Sequence, residues 1–247
     1  MRWRKSHPVN VDEENPYWMS FSDIMSALLV IFILASVILI LQLMERQKDF
    51  DQKVSLLEKA EQVRRTILEE AEDKLRQRGI KVEISENHTV LRVPNELLGF
   101  DTGEYDLQPR YEPTAREIGE VLNQVISRDD RIDYLDTIFI EGHTDNRPFN
   151  GFMGKGNWGL STFRAISLWQ FWSTALPDGQ RLNRLHNKDG DPLFSVSGYG
   201  ETRPVSDQQV TEEDFRVNRR IDIRFTIRRP ASADYDGIRD LLGGSAQ

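Results

Sequence analysis

One aspartate stands where an acid is costly. Asp23 opens a segment that continues from Ala27 to Leu41 as ALLVIFILASVILIL, in which Ser36 is the one polar residue. A carboxylate at the middle of a membrane span costs about 2.5–3.5 kcal/mol on insertion scales, and such groups face a second helix or a water path. There a carboxylate can take up and release a proton. Ser20 and Ser26 lie three residues to either side of Asp23, on the same helix face. Small polar side chains at that place suit an ion path or close helix packing. The bland alternative is an interfacial Asp23 that only caps the helix. Elsewhere, His143 and Asp145 are close in sequence, but no serine or cysteine nucleophile block accompanies them. Gly198-Tyr199-Gly200 lacks the Gly-Lys-Ser/Thr of a phosphate loop. Cysteine is absent, and no two of the four histidines have a metal-ligand spacing. The expectation is a protein that is not an enzyme and holds neither metal nor cofactor.

The elements that position these groups begin with the apolar run. With its flanks it covers residues 17–43, and about 26 residues make roughly 39 Å of helix, against a hydrocarbon core of about 30 Å. A transmembrane helix is expected there. A cleaved signal would have an apolar core of about 7–15 residues and a small-x-small site; this run ends in Gln42-Leu43-Met44-Glu45-Arg46, as an uncleaved anchor would. Tyr17 and Trp18 suit an interfacial aromatic belt. Basic residues tie on the two sides, with Arg2, Arg4 and Lys5 before the span and Arg46, Lys48 and Lys53 after it, so charge alone leaves orientation open. The 247 residues carry 40 acidic and 32 basic side chains, a net charge of −8, which argues against a nucleic-acid partner.

Residues 44–78 form a charged linker without Gly or Pro. Leu56, Ala60, Val63, Ile67, Ala71 and Leu75 recur at spacings of three and four, a narrow stripe suited to a two-stranded parallel coil. A solvated spacer or a helix docked on its own domain is the alternative. Gly79 ends it. Residues 79–229 change texture. Ile80–Ser85 and Thr89–Val93 read as strands around a Glu86-Asn87 turn, Pro113–Ile126 as a helix and Thr137–Glu141 as a strand. Leu160–Leu176 reads as a helix, Phe194–Ser197 as a strand, Thr211–Val217 as a short helix, and the alternating Ile221, Ile223, Phe225 and Ile227 as a last strand. This order predicts an α/β sandwich of one sheet with helices on a face. Residues 1–16 are an N-terminal arm and 230–247 a small polar tail.

Five ordered blocks in this region resemble the OmpA-like peptidoglycan-binding domain. They are Phe100-Asp101-x-Gly103 with Leu107; Glu141-Gly142-His143-Thr144-Asp145; Asn157-x-x-Leu160-Ser161-x-x-Arg164-Ala165; Gly198-Tyr199-Gly200-Glu201-x-x-Pro204; and Asn218-Arg219-Arg220-Ile221-x-Ile223. The resemblance implies that Asp145 and Arg164 grip the zwitterionic diaminopimelate of a peptidoglycan stem peptide. The acid would take its ammonium and the guanidinium fork its carboxylate. Thr144 accompanies Asp145, and Asn157 would order the intervening loop and start the helix. An internal Asp145–Arg164 pair that serves the fold alone is the alternative. The loop from Asn146 to Gly156 is longer than the family pattern and could reshape or cover the site.

The order of arm, span with an early acid, helical linker and OmpA-like domain resembles the MotB family, the wall-anchored subunits of ion-driven stators. Pro16-Tyr17-Trp18-Met19-Ser20-Phe21-Ser22-Asp23-Ile24-Met25-Ser26-Ala27 resembles that family's block around the ion-carrying acid. The compact chain and the acidic Asp12-Glu13-Glu14 run in a short arm resemble ZorB, the MotB-like subunit family of Zorya anti-phage systems. The resemblance implies a homodimer inside a pentamer of a multi-span ZorA-like or MotA-like protein, moved by protons, with sodium open. It also implies an inner-membrane chain with its N-terminus in the cytoplasm and its C-terminal domain in the periplasm. A flagellar stator subunit and a passive membrane-to-wall tether are the alternatives.

Overall fold

The structure, a computed structural model, describes residues 16–85, 87–100, 103–151 and 154–229. The N-terminal arm, the tail from Pro230, Glu86 of the expected turn and Asp101 of the first loop block lie outside the described residues, as does the side chain of Tyr17. The chain divides into two compact units, residues 1–53 and 54–247.

Helix α1 spans Pro16–Gln77. In the first unit its large apolar side chains are exposed on every side, from Phe21, Ile24 and Met25 to Leu41 and Leu43. A helix apolar all round needs lipid or another chain about it. It is the one helix among the described residues long and apolar enough to cross a membrane.

In the second unit α1 has a different surroundings. Ala60, Ile67, Leu68, Ala71 and Leu75 are buried, and the last four belong to the same core as the sheet. Glu70 binds Arg131, with Nη2 donating to Oε1 at 2.7 Å and Nη1 to Oε2 at 3.0 Å. Arg131 also donates to the Val125 carbonyl at 3.0 Å. The helix stops in a Schellman motif: Ile80 N–H reaches the Leu75 carbonyl, Gly79 N–H reaches Arg76, and Gly79 takes φ 79°. These contacts correct two expectations. The stripe from Ala60 to Leu75 faces the chain's own core and so is not the seam of a two-stranded coil; Leu56 alone of that stripe stays well exposed, at 52%. The domain also begins near Val54 rather than at residue 79. The physical reason is that the apolar stripe is removed from water by packing into the adjoining domain's core.

The sheet holds β1 (Glu83–Ile84), β2 (Val90–Pro94), β3 (Leu135–His143), β4 (Phe194–Gly198) and β5 (Arg220–Ile227) in the order β1-β2-β5-β3-β4. Only β3 and β4 run parallel. Helices α2 (Asn95–Leu98), α3 (Glu112–Ile126), α4 (Gly156–Thr174) and α5 (Glu212–Asn218) complete it. The first expected strand shrinks to two residues, since Ile80 and Val82 are spent in the core beside the helix end. Alternation divides the sheet's faces. Leu91, Val93, Ile138, Ile140, Ile221, Ile223 and Phe225 join the core with the inner faces of α3 and α4. Trp172 of α4 donates its indole N–H to the Ala115 carbonyl of α3 at 2.7 Å. The opposite face carries Arg92, Glu141, His143, Arg220, Asp222 and Arg224, cross-paired Glu141 to Asp222, His143 to Arg220 and Arg92 to Asp222.

Because Ile67 is fully buried in that core, Ile67→Ala is expected to destabilise the C-terminal domain by about 2–5 kcal/mol. Thermal unfolding of the purified chain measures it. A coil seam would instead leave the domain's Tm unchanged and alter self-association.

Candidate functional site

The parallel pair and its crossover helix build the site. β3 ends at His143, so Thr144 and Asp145 leave the sheet at its carboxyl edge, where open α/β sheets bind ligands. Thr144 N–H donates to the Gly200 carbonyl at 2.9 Å, which ties this exit to the turn after β4. α4 returns from the loop and brings Arg164 to the same place. Thr144, Asp145, Asn157 and Arg164 line one cavity of about 260 Å³, with Gly103, Arg147, Pro148, Phe149, Leu160 and Arg219. All four residues picked from sequence are therefore brought together.

The partners of Asp145 are Arg147 and Arg219, not an internal pair with Arg164. Arg147 donates from its backbone N–H to Oδ1 at 3.1 Å and from Nη2 to Oδ2 at 2.7 Å; Arg219 Nη1 donates to Oδ2 at 2.7 Å. Burial is the largest single influence on this carboxyl and opposes its ionisation. The hydrogen bonds from Arg147 and Arg219 together outweigh it and hold Asp145 below its ordinary value. Arg164 is 2% exposed. Its Nε donates to the Glu104 carbonyl at 2.9 Å, and its guanidinium lies 5.5 Å from the Phe100 ring centre. Burial first, then Arg219, lowers it to about 10, so it stays charged at neutral pH.

Thr144 is 5% exposed, and its hydroxyl has no hydrogen-bond partner among the described residues. A buried hydroxyl left so is suited to a ligand. Asn157 orders the loop as expected: its Nδ2 donates to the carbonyls of Arg147 at 3.1 Å and Asp145 at 3.4 Å. The helix itself starts at Gly156 without a side-chain cap. The longer loop contributes Pro148 and Phe149 to the cavity lining; Phe152 and Met153 lie outside the described residues.

Arg147 and Arg219 were not among the expected site residues. Arg219 stands in the Asn218-Arg219-Arg220 block, whose members divide the labour. Buried Asn218 accepts from the N–H groups of Val205 and Ser206, Arg219 reaches Asp145, and Arg220 pairs with Asp222 at 3.0 Å. Only its position two residues on hinted at Arg147 as a contact of Asp145.

In the first unit, Ser20, Asp23 and Ser26 are exposed, and the Ser26 hydroxyl donates back to the Ser22 carbonyl at 2.8 Å. Such back-bonding satisfies a hydroxyl inside an apolar helix.

His143 does not face the cavity group as a catalyst would. It is 1% exposed, stacks on Tyr199 with ring centres 5.4 Å apart, and its Nε2 lies 3.4 Å from Asp222. Burial, reinforced by Arg220 and opposed by Asp222, lowers it to about 3. The folded protein therefore keeps it neutral while the unfolded chain protonates it near 6.5. Its contribution is complete above pH 6.5 and is lost as pH falls toward 3, at up to ~1.4 kcal/mol per pH unit. Wild-type Tm is expected to fall from pH 6.5 to about 4.5, and His143→Gln to flatten that slope; an unchanged slope would place the titration elsewhere.

No protein-family model matches the chain. It is 33% identical over 134 residues to the uncharacterized protein YtxE of Bacillus subtilis (strain 168), covering 54% of this chain and 47% of that protein. It is 26% identical over 166 residues to Motility protein B of the same organism, covering 67% and 56%. The chain thus spans about half the length of these curated relatives. Among solved structures, a MotB-like protein from Desulfovibrio vulgaris matches 70% of this chain and 99% of its own, with a TM-score of 0.51 and 22% identity. A long apolar N-terminal helix followed by a mixed α/β domain with the fold of a MotB-like protein is what this chain contains.

Proposed function

We propose that the chain is the wall-binding, single-span subunit of an ion-driven membrane motor, a binding and ion-carrying protein rather than an enzyme. The observation that carries this reading is the presence in one chain of two things: a carboxylate on a helix exposed and apolar all round, and a cavity where Asp145, Arg164 and an unsatisfied Thr144 hydroxyl meet. The cavity would take the stem peptide of peptidoglycan, with Arg164 reading a carboxylate and Asp145 an ammonium group. Asp23 would carry the ion, with Ser20 and Ser26 beside it. Two copies of the chain would stand within a pentamer of a MotA-like membrane protein, N-termini in the cytoplasm and C-terminal domains in the periplasm of a bacterial inner membrane. Protonation removes the charge of one Asp23 and lets the surrounding ring step past. One charge crossing 100 mV releases about 2.3 kcal/mol, enough for a few ions to do mechanical work. Sodium would serve a carboxylate as well.

Within this class we assign the chain to the Zorya anti-phage systems, as a ZorB-type subunit beside a ZorA-like ring. The acidic Asp12-Glu13-Glu14 run ahead of the span supports that assignment. Rotation of the ring's cytoplasmic part would then signal to soluble effectors. The likeness to Motility protein B favours a second reading, a motility stator.

A plaque assay on cells carrying the native gene cluster tests the proposal, with wild type beside Asp23→Asn at matched membrane levels. Protection by wild type and its loss in the variant are expected, since Asn cannot cycle a proton. Equal protection would leave a passive tether. Protection by neither, with swimming restored to a stator-deficient strain, would move the chain to motility. Arg164→Ala is expected to reduce sedimentation with purified peptidoglycan by about 30-fold or more, the loss that follows from removing one buried charged contact. Undiminished sedimentation would remove the wall-binding site from this cavity.

A further inference from the structure

Asp145, the acid assigned to a ligand's ammonium group, is already engaged. Arg147 holds it through Nε and Nη2, at 3.2 and 2.7 Å, and through a backbone N–H to the other oxygen; Arg219 adds Nη1 at 2.7 Å. An incoming ammonium group must share those oxygens or replace a guanidinium.

The two arginines are not equally replaceable. The Arg219 side chain is 13% exposed and is anchored between α5 and β5, while that of Arg147 is 39% exposed and stands on the loop between β3 and α4. Both arginines also reach Glu212, Arg219 from Nη2 at 2.8 Å, but Arg147 adds a ring contact away from Asp145. Its Nη1 donates to Glu212 at 3.1 Å, and its guanidinium lies 4.5 Å from the Phe215 ring centre, both on α5. All these contacts are made from one backbone position, where Asn157 Nδ2 clasps the carbonyls on either side of Asn146.

We propose that Arg147 is a built-in competitor for the ligand's ammonium group, a side-chain latch that leaves Asp145 for Glu212 and Phe215 when a zwitterionic peptide binds. The latch rests on the wall-binding reading and adds regulation to that site. In the closed state Asp145 is neutralised, so no buried carboxylate stands unpaired without ligand. On binding, the ammonium group takes over the Asp145 oxygens, Arg219 stays, and Arg147 keeps its charge partner on the rim. A peptide whose amine is blocked has nothing to exchange for Arg147 and meets the closed pocket. The latch therefore selects a free ammonium group over an uncharged nitrogen.

Calorimetric titration of the full chain in detergent tests this, using the stem tripeptide L-Ala-γ-D-Glu-meso-diaminopimelate and the same peptide acetylated on the free amine of its diaminopimelate. Arg147→Gln is expected to bind the free-amine peptide about tenfold more tightly and to leave binding of the acetylated peptide unchanged. Glu212→Gln, which neutralises the acceptor that Arg147 shares with Arg219, is expected to bind the free-amine peptide more weakly than wild type. Arg147→Lys, charged but without the fork, is expected to fall between wild type and Arg147→Gln. Weaker binding by Arg147→Gln would make Arg147 a ligand contact and overturn the latch, as would unchanged binding or an equal gain for both peptides. If wild type and all variants bind neither peptide, the wall-binding reading fails and takes the latch with it.

Discussion

The pocket depends on how closely α4 lies against the ends of β3 and β4. A Cβ at Gly142 would stand 2.0 Å from the Ser161 carbonyl oxygen, and one at Gly198 would stand 2.3 Å from the Thr162 hydroxyl. Glycine at both strand ends lets backbone meet backbone there. Ser161 closes the contact: its hydroxyl accepts from Gly200 N–H at 2.9 Å and donates to the Trp158 carbonyl at 3.0 Å. Asp145 follows Gly142 by three residues, and Arg164 follows Ser161 by three. Their separation is therefore set by a rigid backbone contact rather than by the long loop between them. The loop can contribute Phe149 and Arg147 to the cavity lining without having to fix the site.

The sheet below the pocket solves a related electrostatic problem. On its outer face Glu141 is 1% exposed and Asp222 is 2% exposed. Arginines do the covering. Arg224 grips Glu141 with two bonds of 2.8 Å, and Asp222 takes Arg220 at 3.0 Å and Arg92 at 3.2 Å. Arginine suits this use because its stem covers apolar surface while its fork satisfies a carboxylate. The same bonds cross β2, β5 and β3, so the strand that presents Asp145 is braced laterally. His143 sits among these cations and is kept neutral by them and by its burial.

Much of this was legible in the sequence, and the failures have physical causes. Period-two alternation marked β5, and period-3.6 apolar spacing marked α3, because each buries one face against the core. The glycines at residues 142 and 198 lay in motif blocks that gave the strand ends. The role of residues 54–77 was not legible, because an a/d-like stripe looks the same whether a second chain or the adjoining domain covers it. What settled it was Glu70 with Arg131, a pairing across 61 positions that no local pattern reveals. Arg147 escaped for a similar reason. An arginine two residues after an acid reads as an exposed loop charge until the fold turns it back on that acid.

Helix α1 by itself does not decide between the tether and motor readings. The covalent path from the apolar segment to the cavity runs through a helix whose last turns are part of the domain core, since Ile67, Leu68, Ala71 and Leu75 are fully buried. That arrangement would serve either reading, because an anchor and a stator both have to transmit load from wall to membrane. Asp23 separates them. In a simple anchor its carboxylate would only add an insertion cost of up to about 2.5–3.5 kcal/mol, depending on depth, where any apolar residue would hold the chain more firmly. In an ion carrier the same carboxylate is the one group able to alternate between charged and neutral within the apolar helix. The cost of burying it is then the difference between its two protonation states that couples ion passage to movement.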